Sequence, residues 1–414
     1  MDEYRIADIK LASSGRAKME WAWDSMPVLK SLKKEYLPDL PLKGYNVAAC
    51  LHLEAKTACL LVLMKDLGAN VAAAGSNPLS TQDDICAALA ESGVKVYSHR
   101  GMSDSQYFDN LRSVIDTSPD IIIDDGADLI ALLHTEYRDI LSSIKGASEE
   151  TTTGVNRIKS MEKDNILQFP VIAVNDAKSK YLFDNRYGTG QSVLDGIMRT
   201  TNHLLAGKKI VVAGYGWCGR GVASRASAMG GHVIVVEVDP HRAFEAMMDG
   251  YAVMSMDEAS AVGDIFLTLT GNTDVVRKQH FEKMKDGVLL GNAGHFDVEI
   301  NKVDLDSLSV SVKETRNNVQ TYIMEDGRKL HLLAEGRLVN LAAGDGHPVE
   351  IMDLSFALQL ESVLLFSKEN WKPGVYNVPC DIDRKVMEKK LNSMGITLEK
   401  LTTGQVEYLA SWKE

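Results

Sequence analysis

Short apolar runs alternate with stretches of helical period along the front half of the chain. Tyr45–Leu51 predicts a strand, and Lys56–Leu67 an apolar helix closed by Gly68. Asn70–Ala74 and Val94–Tyr97 predict further strands, and Ile121–Asp124 another after the turn at Pro119. Strands separated by helices build a parallel, doubly wound sheet. Ligands of such sheets sit beyond the carboxyl ends of the strands, where His52, Glu54, Asp124 and Asp125 fall. The rhythm restarts at Lys208. Lys209–Ala213, Val233–Val238, Asp264–Thr268 and Gly287–Leu290 read as strands, with Val222–Met229 helical between the first two. The expected fold is α/β: two doubly wound parallel-sheet (Rossmann-like) domains plus a small C-terminal segment. Leu182–Gly196 predicts the connection between the domains and Gly344–Pro348 the return. Residues 1–184 with 348–378 then form one domain and 185–347 the other. Residues 379–414, with a helix at Lys385–Met394, form an appendage.

Composition narrows the function classes. With 414 residues, 45% of them hydrophobic, the chain is long enough for two real cores. A formal net charge of −12 without a long basic run argues against nucleic acid and anionic membrane as partners. No stretch has the length and apolarity of a spanning helix, and the opening MDEYRIADIK is too polar for a signal peptide. Cys50, Cys59, Cys86, Cys218 and Cys380 are scattered without a CxxC, against both a disulfide framework and a zinc site. A cytoplasmic enzyme without a metal is the expectation.

The most specific local motif is Gly214-Tyr-Gly216-Trp-Cys-Gly219, which follows a strand and opens a helix. The first glycine permits the tight turn, the second lets backbone approach a pyrophosphate, and the third lets helix pack on strand. The helix N-terminus offers unpaired N–H groups to the phosphates. Glu237 lies 18 residues past the third glycine, at the end of the next strand. A carboxylate there accepts from both ribose hydroxyls and repels a 2′-phosphate, so the expected cofactor is NAD.

Other polar clusters are ambiguous one at a time. Ser148-Glu149-Glu150-Thr151-Thr152-Thr153-Gly154 also reads as an acidic helix start. Asn175, Asp176, Lys180, Asp184, Asn185 and Tyr187 also read as a solvated face. Asn292-Ala-Gly294-His295 and Asp345-Gly346-His347-Pro348 hold histidines that a turn alone explains.

Together these segments are distinctive. LHLEAKTA, NPLSTQDD, IIDDGADL, EETTTG, VNDAKSKYLFDNRYGTGQS, GYGWCGRG, MKDGVLLGNAGHFDVEI, LLAEGRLVNL and GDGHP resemble, in order and end to end, the S-adenosylhomocysteine hydrolase family. The resemblance implies a homotetramer with tightly held NAD, its C-terminal segment serving oligomerisation. It implies reversible cleavage of a nucleoside–homocysteine thioether to the nucleoside, inosine or adenosine, and L-homocysteine. In that chemistry the ribose 3′-OH is oxidised first, which acidifies the C4′ proton and permits elimination of homocysteine. Water then adds at C5′ and the hydride returns, so NAD behaves as a prosthetic group.

By matching position, the resemblance assigns Lys180 and Asp184 to the 3′-OH proton. A lysine in that role is expected to have its pKa lowered. Glu150 is assigned to the ribose hydroxyls, and Thr151, Thr152 and Thr153 to the nicotinamide end of NAD. Asp125 resembles the base near C4′, with His52 and His295 for acid–base work around C5′ and the 3′-oxygen. Asn185 and Asn340 are assigned to the nicotinamide amide or nearby polar groups, and His347 to the purine.

The chain departs from the common family pattern in three places. Glu54 and Lys56 replace a threonine and a glutamate of the LHxTxET motif. Adenine presents an N6 donor and an N1 acceptor; hypoxanthine presents an O6 acceptor and an N1–H donor. A glutamate accepts from N1–H and a lysine donates to O6, so an inosine moiety is the expectation; the alternative is that the two residues only pair with each other. Thr189 stands where many relatives carry a cysteine. The sequence closes at LASWKE without the lysine- and tyrosine-bearing tail that caps a neighbour's NAD, so easier NAD exchange is expected.

Overall fold

The computed structural model describes residues 4–412. Two eight-stranded sheets form, their central strands buried on both faces. In the first, the strands are β1 (Tyr4–Arg5), β2 (Asn46–Leu51), β3 (Asn70–Gly75), β4 (Lys95–Tyr97), β5 (Ile121–Asp124), β6 (Gly146–Glu149) and β7 (Pro170–Ala173). In the second they are β8 (Lys209–Ala213), β9 (His232–Val236), β10 (Ala252–Val253), β11 (Ile265–Thr268), β12 (Val288–Asn292), β13 (Ser309–Arg316), β14 (Val319–Met324) and β15 (Lys329–Leu333). The last strand, β16 (Gly374–Asn377), returns to the first sheet. The orders are β1-β4-β3-β2-β5-β6-β7-β16 and β10-β9-β8-β11-β12-β15-β14-β13.

Side-chain alternation explains why apolar runs rather than alternating patterns mark these strands. Val47, Ala49 and Leu51 enter one core layer, whereas Ala48 and Cys50 enter the layer on the opposite face. Ile210 and Val212 are split from Val211 and Ala213 in the same way in the second sheet. A parallel sheet covered on both faces needs apolar residues at every position.

Several elements differ from the sequence expectation. The helix of the glycine turn runs Trp217–Ala228, beginning inside the motif rather than at Val222, because Gly216 already caps it. The second sheet is not wholly parallel: β14 runs antiparallel to both β13 and β15. The connection near Leu182–Gly196 is not a loop but a π-helical turn, Tyr181–Gly188, running into the helix Thr189–Thr201. Among the described residues no helix is long and apolar enough to cross a membrane.

The return segment becomes the 20-residue helix Val349–Lys368, which lies in the first core. Its polar residues fasten other elements. The Asp353 carboxylate is fully buried and accepts from the backbone N–H groups of Val28 and Leu29 at 3.0 Å each, with Lys390 at 3.4 Å. It therefore caps the helix Pro27–Tyr36 from across the sequence. The helix Cys380–Ser393 buries Ile382 and Val386 in that core, and Asp383 accepts from the N–H groups of Lys178 and Ser179. Beyond it, Tyr408 and Trp412 are 69% and 90% exposed.

Asp353→Ala leaves two buried N–H donors and an ammonium without their acceptor. The expected loss is about 3 kcal/mol, read as a lower denaturant midpoint at unchanged NAD content.

Candidate active site

Both sheets have a switch point where the order of strands reverses, and both face the same cleft. In the first sheet it lies between β2 and β5, in the second between β8 and β11. Register aligns the strand ends: Cys50 pairs with Asp124 and Asp124 with Glu149. His52, Asp125 and Glu150 therefore leave three neighbouring strands at one level. In the second sheet Ala213, Thr268 and Asn292 are similarly level. This puts the glycine turn beside the loops carrying Thr270 and His295. A cavity of about 1060 Å³ lies between, lined by residues of both units.

At one wall, His52 Nε2 lies 3.3 Å from Asp125 Oδ2 and His295 Nδ1 lies 3.6 Å from Asp125 Oδ1. His52 comes from the first unit and His295 from the second. Gly126 is needed where they meet, because a side chain there would collide with the His295 ring. The other face of His52 is held through Nδ1 by the Ser80 and Ser76 hydroxyls at 2.7 and 3.1 Å. Burial pulls the His52 imidazole below its ordinary value, against the opposing pull of Asp125. Two imidazoles and a carboxylate with donor atoms within 4.8 Å also form the one group, among the described residues, able to hold a metal ion. Cysteine spacing carries no information about such a set.

At the floor, the Lys180 ammonium lies 3.4 Å from Glu150, 3.5 Å from Asp184 and 2.8 Å from Asn185 Oδ1. The expected lowering of the lysine is not found. Burial is the largest influence and pulls downward, but Asp184 and Glu150 together outweigh it and leave Lys180 above its ordinary value. Asp184 is pushed up by burial, yet Lys180 and His347 hold it well below the usual carboxylate range. Glu150 goes the other way: burial dominates over Lys180 and raises it to about 7.

Asn185 donates to Asn175, which donates to Thr152 Oγ1, so a chain of amides links Lys180 to the threonine turn. Thr151 caps the helix Thr152–Lys163. Thr153 lies by the loop at Gly271. His347 Nδ1 is 2.8 Å from Asp184, with Thr189 Oγ1 3.2 Å from its Nε2. Glu54 and Lys56 do pair, at 2.7 Å. Glu54 also caps the helix Ala55–Asp66, and Lys56 donates to the Asp345 carbonyl at 2.7 Å. Both line the cavity with His347.

The cavity fits a dinucleotide. At Gly219 a side chain would strike the Gly214 carbonyl, whereas at Gly216 only the Arg242 guanidinium lies near, at 3.8 Å. Backbone at Gly216 is thus bare toward the cavity at the N-terminus of a helix, as a pyrophosphate requires. Glu237 accepts from the N–H groups of Tyr215 and Val238 at 2.7 Å each, which fixes its carboxylate beside that turn. Buried oxygens of Asp125, Glu150 and Asn340 lack hydrogen-bond partners and line the same cavity. Unpaired buried acceptors call for a ligand rich in donors.

Sequence reasoning did not single out Ser355 and Gln359, which reach Asp184 and Glu150 from the helix Val349–Lys368 at 2.5 Å each. Their signal was a set of polar positions, Asp353, Ser355, Gln359, Glu361 and Ser362, inside a largely apolar helical run. Glu149 was noticed only as part of a cluster. Its Oε1 accepts from Gly126 N and from both N and Oγ1 of Thr151, each at 2.9 Å, tying the Asp125 turn to the threonine turn.

Comparison with known proteins agrees with this geometry. Residues 3–139 match the S-adenosyl-L-homocysteine hydrolase model and residues 185–346 its NAD-binding domain. The chain is 57% identical to the S-inosyl-L-homocysteine hydrolase of Methanopyrus kandleri, over 100% of this chain and 98% of that protein. It is 58% identical to the adenosylhomocysteinase of Thermococcus kodakarensis, over 99% and 98%. Identity to the S-inosyl-L-homocysteine hydrolase of Methanococcus maripaludis is 54%, over 99% of each. Cleft, glycine turn and sequence agree, and the chain belongs to the S-adenosyl-L-homocysteine hydrolase family, with that family's NAD-binding domain.

Proposed function

We propose that the protein reversibly cleaves a nucleoside–homocysteine thioether to nucleoside and L-homocysteine, with the inosine moiety favoured. The observation that carries this reading is the meeting of two acid–base groups across one cleft: Lys180 with Glu150 and Asp184, and Asp125 with His52 and His295. Residues 1–184 and 348–378 hold the substrate, 185–347 hold NAD, and 379–414 serve assembly of a cytoplasmic homotetramer.

NAD is held by Gly214, Gly216, Gly219 and Glu237 at one end and by Thr151, Thr152, Thr153, Asn185 and Asn340 at the other. When bound it supplies one chemistry, the reversible acceptance of hydride at ribose C3′. Glu150 binds the ribose hydroxyls. Since Lys180 is already an ammonium, Glu150 receives the 3′-OH proton while Lys180 stabilises the negative oxygen and Asp184 stays ionised beside it. This inverts the expected division of labour between lysine and carboxylate. Asp125 removes the C4′ proton, the C5′–S bond breaks, and an imidazole of His52 or His295 protonates the departing sulfur. The same groups deliver water to C5′ in the second half.

Glu54 and Lys56 supply one acceptor and one donor at the purine end, matching the N1–H and O6 of hypoxanthine. Their mutual ion pair and the Glu54 cap favour a second reading, adenosine specificity with His347 alone at the base.

Gly216→Asp puts a carboxylate where the pyrophosphate binds, in space that the backbone tolerates. It is expected to fold, to lose bound NAD and to lose thioether cleavage by more than about 100-fold, the cost of roughly 2.7 kcal/mol. In the intact enzyme, absorbance of NADH formed with substrate should not exceed the enzyme concentration; net accumulation would mark a dehydrogenase instead. In the synthesis direction with homocysteine, kcat/KM for inosine is expected to exceed that for adenosine at least about tenfold. A preference for adenosine would overturn the purine assignment and leave the reaction class intact.

A further inference from the structure

The helix Val349–Lys368 carries polar residues in the core. Asp353 anchors the helix Pro27–Tyr36, and Glu361 accepts from Tyr36 and pairs with Lys385. Ser355 and Gln359, one turn apart and so on one face, reach instead to the two carboxylates that flank Lys180. Both are fully buried.

Gln359 is bonded to Glu150 itself. Its Nε2 lies 2.5 Å from Glu150 Oε2. A half-turn of an amide exchanges its donor and acceptor ends. Gln359 therefore has a bonded arrangement for each form of Glu150. Its N–H donates to the carboxylate, or, turned over, its oxygen accepts from the carboxylic acid. Lys180, on the other side of Glu150, can only donate. Glu150 Oε1 is left without a hydrogen bond, 3.4 Å from Lys180.

We propose that Gln359 is a positioning residue that keeps Glu150 in one place, Oε1 toward Lys180, whether or not Glu150 carries a proton. Glu150 can then gain and lose a proton at the ribose hydroxyls without moving. The proposal rests on reading the cleft as the ribose site. The charged groups around Glu150 are Lys180, Asp184 and Asp125, with His347 against Asp184 and Cys218 near Lys180. Burial, opposed by Lys180, places the Glu150 carboxyl at about 7, so both forms are populated near neutrality. A partner suited to only one form would hold it for half the time. A methionine at 359 fills similar volume with neither bond, and a glutamate can share a proton with Glu150 but repels it once both ionise.

The test is the pH dependence of kcat and kcat/KM for the intact NAD-bound protein, Gln359→Met and Gln359→Glu, with NAD content and melting temperature measured beside them. Gln359→Met takes a bond from both forms of Glu150, but the N–H donated to the carboxylate is charge-assisted and the stronger of the two, so the sign is upward. In Gln359→Met the acid limb of kcat/KM is expected to move up by about one pH unit, a tenfold loss on that limb, with NAD content unchanged. In Gln359→Glu activity is expected to persist at acid pH and fall on the alkaline side. An unmoved acid limb in a folded, NAD-loaded Gln359→Met enzyme overturns the inference. If that variant does not fold, a loss in Gln359→Glu that is uniform across pH overturns it. Absence of thioether cleavage by the wild-type enzyme overturns the underlying reading instead. The infrared carboxylic acid band assigned by Glu150→Gln tests the pair without turnover: it must shift in Gln359→Met.

Discussion

The cleft is organised around one buried ammonium. Lys180 is almost fully enclosed, and an isolated charge there would be untenable. It is stable because Glu150 and Asp184 stand 3.4 and 3.5 Å away. Each carboxylate has its own support: Gln359 for Glu150, and Ser355 with His347 for Asp184. The balance is unequal. Asp184, touched by two cationic or potentially cationic groups, stays ionised, and Glu150, with only Lys180, titrates near neutrality. A cluster with one carboxylate fixed and one free to exchange protons suits a site that oxidises and re-reduces an alcohol in every turnover.

That cluster is drawn from four separate parts of the chain. Glu150 follows β6, Lys180 and Asp184 lie at the entrance to the connecting helices, His347 lies in the return, and Ser355 and Gln359 lie in the long helix behind it. The site therefore depends on the first sheet and both crossings being in place. The opposite group makes a similar demand, since Asp125 and His52 leave the first sheet and His295 the second. The bare backbone at Gly126 allows that imidazole to come against the Asp125 turn. The acid–base group is complete only where the two units meet.

Glu54 and Lys56 join a structural role to a place on the cavity wall. Glu54 caps a helix and binds Lys56, and Lys56 reaches the Asp345 carbonyl across the return. These bonds fix both side chains at the cavity wall. Lys56 uses two of its three donors, on Glu54 and on the Asp345 carbonyl, whereas Glu54 already accepts from Lys56 N and Nζ and from Thr57 N and Oγ1, so accepting from the N1–H of hypoxanthine requires it to share or give up one of these.

Much of this was determined by the sequence alone. Apolar runs of strand length, buried on both faces, could only be strands of covered parallel sheets, and most predicted strands are found within one or two residues. The glycine turn with Glu237 was legible because its constraint is local: the collision that forbids a side chain at Gly219 involves Gly214, five positions away. The ordered motifs of the family named His52, Asp125, Lys180 and His295. Tertiary structure decided what those groups are. A lysine's proton affinity depends on which charges stand beside it, and both carboxylates that raise Lys180 act through geometry, Glu150 from 30 positions away. Ser355, Gln359 and Asp353 were unreadable for the same reason. A polar residue in an apolar helix says only that it has a partner, and the partners lie 171, 209 and 325 positions distant.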